Sequence, residues 1–131
     1  HYECRWVTLQ SMKSRCAFLP EGLTMRCPAA HAEGYLMPPD TRFAQHLVDE
    51  GFCTFRYVDQ DGQPTTAYPQ NPNGSPLGLA GMTDATGRVL GLMPHPDRSY
   101  LPHHMPTWRR EAAAEHGEGF QVFERMVAAA Q

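Results

Sequence analysis

Turn signals recur so closely along this chain that no regular element between them can be long. Pro20-Glu21-Gly22, Pro38-Pro39-Asp40, Asp59-Gln60-Asp61-Gly62, the stretch Tyr68–Leu77 and Asp84-Ala85-Thr86-Gly87 each stop a run of regular structure. The segments they leave predict strands over Tyr2–Gln10, Leu23–His31 (interrupted by Pro28), Phe52–Val58, Gly78–Met82 and Arg88–Met93. A helix is predicted over Thr41–Glu50, with Phe43, Leu47 and Val48 on one face and Gly51 ending it. A closing amphipathic helix is predicted over Glu118–Gln131, with Phe120, Phe123, Met126 and Val127 on one face. Pro94–Pro106 reads as loop. Strands, a short helix, more strands and a final helix fit part of an α/β sandwich.

The 131 residues suit one domain or a piece of one, and 41% hydrophobic content is enough for a packed core. The longest apolar runs, such as Val89–Pro94, are strand-sized, which argues against a membrane span. Net charge is −3 and the basic residues are scattered, with only Arg109 and Arg110 adjacent, which argues against nucleic acid as a partner. Cys4, Cys16, Cys27 and Cys53 form no C-x-x-C pair. Reduced, mostly buried thiols and a cytoplasmic protein are therefore expected. His95, His103, His104 and His116 match no zinc spacing, so no metal site is expected.

The richest local chemistry lies in Gly91-Leu92-Met93-Pro94-His95-Pro96-Asp97-Arg98. An apolar strand runs into a rigid Pro-His-Pro, and a carboxylate follows two residues after the histidine. Such a histidine and acid can form a base with its orienting partner. They can equally be a surface-loop histidine beside a solvated aspartate, and the residues alone leave both open.

Pro94-His95-Pro96-Asp97-Arg98 resembles the Pro-His-Pro-Glu-Arg motif of the formylglycinamidine ribonucleotide synthase glutaminases, a family of triad-type glutamine amidotransferases. Glu3-Cys4-Arg5-Trp6-Val7, Ala30-His31-Ala32-Glu33-Gly34 and Asn71-Pro72-Asn73-Gly74-Ser75 resemble further motifs of that family, in its order along the chain. The resemblance implies a flavodoxin-like class I amidotransferase fold, of which residues 1–131 would be the C-terminal portion. It implies glutamine hydrolysis that supplies ammonia to an ATP- and Mg-using synthase subunit or domain, with no cofactor on this chain. His95 would be the general base and acid and Asp97 its orienter. His31, Ala32 and Glu33 would lie on the glutamine-binding loop.

Three departures accompany the resemblance. No cysteine sits in a Gly-x-Cys-x-Gly turn, so the nucleophile is expected on an N-terminal portion upstream of His1, and this chain alone is expected to be inactive. Asp97 stands where the family has Glu, with one methylene less of reach. Ala32 stands where it has Gly. Asn71, Asn73 and Ser75 either contact the synthase or simply make a rigid turn. Trp108, Arg109 and Arg110 either contact it or pack the closing helix. A decayed glutaminase kept as a binding surface is the alternative, and a metal-dependent hydrolase is a more distant one. Without an upstream portion, exposed sheet edge and apolar surface would favour self-association.

Overall fold

The structure is a computed structural model, and it describes residues 1–112 and 114–131. Five strands follow one another as β1 (Glu3–Ser11), β2 (Thr24–His31), β3 (Cys53–Tyr57), β4 (Leu79–Thr83) and β5 (Leu90–Leu92). Helix α1 (Thr41–Asp49) lies between β2 and β3, and helix α2 (Phe120–Ala129) closes the chain. The sheet order is β2-β1-β3-β4-β5. Among the described residues every pairing between these strands is antiparallel. This is an α/β arrangement, but the sheet does not itself supply the parallel core of a flavodoxin-like fold.

Alternation makes the core. Val7, Leu9, Met25, Cys27, Ala29, Phe55 and Tyr57 point to one face and form a cluster closed by Ala80 and Val122. A register irregularity in β3 separates Cys53 from Phe55. Cys53 therefore turns to the opposite face, where it packs with Ala44 of α1 and with Leu79.

Pro28 does not interrupt β2, which runs unbroken from Thr24 to His31. The reason is which way its backbone faces. β2 is an edge strand. The outward-facing backbone groups of Thr24, Arg26 and Pro28 meet the C-terminal segment: Gln121 Nε2 donates to the Thr24 carbonyl (3.2 Å), the Arg26 N–H donates to the Glu118 carboxylate (2.6 Å), and the His95 N–H donates to the Pro28 carbonyl (2.7 Å). The N–H that proline lacks would point away from β1, so no ladder bond is lost.

The Met93 N–H donates to Ala80 of β4, and two residues later His95 reaches β2. β4 and β2, which β1 and β3 separate in the sheet order, are thus bridged by a span of about 7 Å at strand spacing, so the sheet curls strongly.

The Asp40 side chain caps α1 by accepting from the Phe43 N–H at 2.7 Å, and Gly51 at φ 73° ends it. Ala44 and Leu47 carry the buried face, while Phe43 is exposed. The expected apolar face of α2 is only partly used. Val122 is its buried residue, whereas Met126 and Val127 are 41% and 60% exposed. Phe120 and Phe123 pack edge-on to Tyr100, at 5.0 and 5.7 Å between ring centroids. Pro94–Pro106 holds two short 3₁₀ turns, Pro96–Ser99 and Pro102–His104. Among the described residues no helix is long and apolar enough to cross a membrane.

Candidate active site

His95 sits between the end of β5 and the 3₁₀ turn Pro96–Ser99, and two hydrogen bonds fix its backbone. Pro94 before it is buried. Its N–H is bonded to Pro28, and its carbonyl accepts from the Arg98 N–H at 3.1 Å. The entry to α2 then clamps the turn from outside. The Gly119 N–H donates to the Ser99 carbonyl at 3.0 Å. A Cβ at Gly119 would collide with the Pro96 carbonyl, and one at Gly117 with the Ser99 carbonyl. Glycine is needed at both positions because backbone meets backbone there.

The His95 imidazole lines a depression of about 350 Å³ with Leu90, Leu92, Asp97, Val122 and Met126. Its Nε2 is buried and has no hydrogen-bond partner among the described residues. Asp97 lines the same depression but is exposed. Among the described residues no hydrogen bond or ion pair joins its carboxylate to His95. His95 thus carries a buried ring nitrogen, without a partner among the described residues, beside a largely apolar depression, and an uncommitted imidazole nitrogen can transfer a proton to a group that reaches it.

His31 ends β2 on the same end of the sheet as His95, because β2 and β5 run in the same direction. Pro28, which holds His95, is three residues from His31, or roughly 10 Å along the strand. The structure thus puts His95, Asp97 and residues 31–33 toward the same end of the sheet, but the depression lined by His95 and Asp97 is not lined by residues 31–33. His31 is 8% exposed, and neither ring nitrogen has a partner among the described residues. A Cβ on Gly34 would lie 2.5 Å from the imidazole, so the loop backbone rests directly on the ring. His31 thus forms the floor of the loop, while Ala32 and Glu33 are exposed above it.

The far end of this loop is held by a group that spacing alone did not reveal. The Leu36 N–H donates to Ser75 Oγ at 2.9 Å. Only the run Asn71-Pro72-Asn73-Gly74-Ser75 marked that stretch as special, without saying what it touches.

The cysteines are free thiols. Burial pushes the Cys27 thiol up to about 12 and raises that of Cys53. Both are therefore protonated and poorly nucleophilic at neutral pH. Cys16 is buried and Cys4 exposed. His103 and His104 pack against each other at 4.9 Å, and His116 stacks on Phe120 at 3.7 Å. Among the described residues no group of three His, Cys, Asp or Glu side chains is placed to hold a metal ion.

The profile of the CobB/CobQ-like glutamine amidotransferase domain matches residues 1–128. The chain belongs to this family. The chain is 42% identical over 107 residues to phosphoribosylformylglycinamidine synthase of Drosophila melanogaster, a match that spans 80% of this chain and 8% of that protein. It is 32% identical over 130 residues to the synthase subunit PurQ of Methanothrix thermoacetophila, across 95% of this chain and 49% of that subunit. Among solved structures, PurLQS from Thermotoga maritima superposes with a TM-score of 0.65 at 25% identity, over 100% of this chain and 49% of that one. The chain thus spans about half the length of the PurQ relative it matches.

Proposed function

We propose that this chain is the C-terminal portion of a glutaminase that releases ammonia from glutamine. The ammonia would serve the ATP-dependent conversion of formylglycinamide ribonucleotide to the amidine in purine biosynthesis, in the cytoplasm. The observation that carries the reading is His95 itself. In a chain of this family, its N–H is bonded to β2, the residue lines a depression, and its buried Nε2 has no partner among the described residues.

In this reading an upstream cysteine thiolate attacks the side-chain amide carbon of glutamine, and backbone N–H groups hold the resulting oxyanion. As the C–N bond breaks, His95 gives a proton to the departing ammonia. It then takes a proton from the water that hydrolyses the thioester to glutamate and free thiol. Asp97 would orient the imidazole, and the backbone around Ala32 and Glu33 would border the glutamine, with His31 beneath. The poor nucleophilicity of Cys27 and Cys53 supports a nucleophile outside residues 1–131. The upstream portion would also bring the parallel strands of a flavodoxin-like class I fold. The edge position of β5 in the sheet order supports such an addition. ATP and Mg²⁺ would act at the synthase partner.

One observation favours a second reading, a non-catalytic remnant: the Asp97 carboxylate is exposed and makes no bond to His95. The test compares glutamine-dependent with ammonia-dependent amidine formation by the complete glutaminase and synthase. His95→Ala should lower the glutamine-dependent rate by on the order of 10²–10⁴ and spare the ammonia-dependent rate. Equal glutamine-dependent rates in wild type and variant would rule out a catalytic His95 and leave the remnant.

A further inference from the structure

A buried, densely bonded polar cluster lies away from His95, in the loop Asn71–Ser75. Asn71 is 2% exposed and Ser75 1%. Asn71 Nδ2 donates to the carbonyls of Ser75 (2.9 Å) and Thr65 (3.2 Å), and its Oδ1 accepts from the Gly74 N–H (2.9 Å). Asn73 Oδ1 accepts from both the N–H (3.0 Å) and the hydroxyl (2.7 Å) of Ser75, while Asn73 Nδ2 donates to the buried Tyr57 hydroxyl (3.0 Å). These bonds fix the loop to β3 and orient the Ser75 hydroxyl. Because that hydrogen is committed to Asn73, the lone pairs of Ser75 Oγ remain for one outside donor, the Leu36 N–H.

Leu36 ends the loop that begins at His31. The loop rests on the His31 ring through Gly34 at one end and hangs from Ser75 at the other. Tyr35 lies within 4.0 Å of where a Cβ of Gly74 would be, so the two loops also touch beside that bond. Gly34, Tyr35, Leu36 and Ser75 share the wall of a cavity of about 310 Å³ with Gly91 and Met93, the strand that leads to His95. Exposed loop residues held by ring packing at one end and by a hydrogen bond at the other are pre-organised, and loss of one hold allows displacements of the ångström scale that substrate binding does not tolerate.

We propose that Ser75, oriented by Asn71 and Asn73, is a positioning residue for the glutamine-binding loop: its hydroxyl sets the height of residues 32–35 over His31 and thereby the affinity for glutamine. The inference rests on the reading of Ala32 and Glu33 as substrate-bordering residues. It goes beyond that reading in assigning the Asn71–Ser75 loop to glutamine binding rather than to partner contact or simple turn rigidity.

The test uses the complete glutaminase–synthase assembly. Ser75→Ala removes one oxygen and leaves the shape, so folding is preserved, and thermal denaturation checks this. Asn73→Asp keeps the acceptor that orients Ser75 but loses the donation to Tyr57. The expected result is a KM for glutamine raised about tenfold in Ser75→Ala, with kcat changed far less. Ammonia-supported turnover should stay near wild type, and Asn73→Asp should raise KM less than Ser75→Ala. A wild-type KM for glutamine in Ser75→Ala, whatever its melting temperature, overturns the proposal. An equal loss of glutamine- and ammonia-supported turnover does too, since it would place the loop at the partner interface. His95→Ala is run alongside: if it keeps full glutamine-dependent activity, the underlying site reading fails, and this inference with it.

Discussion

The His95 N–H meets the Pro28 carbonyl at 2.7 Å on the outer edge of β2. One strand therefore carries both halves of the candidate site, His95 through its edge and the residues 31–33 through its end. The clamp that presses His95 there is the glycine-rich entry to α2. Gly119→Ala would drive a methyl into the Pro96 carbonyl. It is expected to cost about 1–3 kcal/mol of stability and to lower glutaminase activity together with it. Thermal denaturation of the complete protein checks the first effect and glutamate release the second. An unchanged melting temperature would contradict the clamp.

The C-terminal segment is also held by charge. The Arg26 guanidinium bonds the Glu111 carboxylate through two nitrogens at 3.0 Å and also pairs with Glu118. Bonding to Arg26, and then to Thr107, holds the Glu111 carboxyl below its ordinary value. A depressed folded value means that protonation is harder in the folded state. The stabilisation is therefore complete above the unfolded carboxylate value of about 4.3 and is lost as pH falls through the lower folded one. Melting temperature should fall on acidification, and Glu111→Gln should show a shallower fall over the same range. Parallel curves for the two proteins would assign the acid sensitivity elsewhere.

Asn71 is buried with three bonds, to Thr65, Ser75 and Gly74. Asn71→Ala takes these partners from the Thr65 carbonyl and the Gly74 N–H and leaves the Ser75 carbonyl with the Gly78 N–H alone, and should cost about 1–3 kcal/mol, measured by denaturant unfolding of the complete protein. A stability within experimental error of wild type would mean the loop is held by its backbone alone.

Of the four thiols in this chain, only Cys4 is exposed. A thiol reagent at neutral pH should label Cys4 rapidly in the folded protein and Cys16, Cys27 and Cys53 only after denaturation, as read by peptide mass spectrometry. Rapid labelling of Cys27 would contradict its burial in the core and reopen it as a nucleophile.

Met126 and Val127 of α2 and Val89 before β5 are exposed, and β5 is an edge strand. The 131-residue chain alone is expected to self-associate in sedimentation. A monodisperse monomer with one cooperative unfolding transition would contradict this.

Much of this was legible in the sequence, and the exceptions share a cause. Strand β1, helix α1 and the turns at Gly51, Gly62 and Gly87 follow from local pattern and turn chemistry, and their glycines do adopt positive φ. Pro28 looked like an interruption because nothing local says that β2 is an edge strand with its proline facing outward. The predicted face of α2 holds only in part, through Phe120 and Phe123 against Tyr100, because a 3.6-residue period finds an apolar stripe but not what covers it; Val122, off that stripe, is the buried residue. His95 stood out through its flanking prolines, whereas its attachment to Pro28 is a contact 67 positions apart that no local signal encodes. Ser75 was visible as part of a motif, but its bond to Leu36 joins loops 39 positions apart.

The central claim is that His95 serves a cysteine lying outside these 131 residues. The most direct measurement is the rate at which an electrophilic glutamine analogue alkylates the complete protein, with the labelled residue identified by mass spectrometry. The account predicts one label per active site, on a cysteine upstream of His1. Glutamine should protect it, and His95→Ala should slow the labelling by on the order of 10²-fold. Labelling confined to Cys4, Cys16, Cys27 or Cys53, or a rate indifferent to both glutamine and His95→Ala, would contradict it.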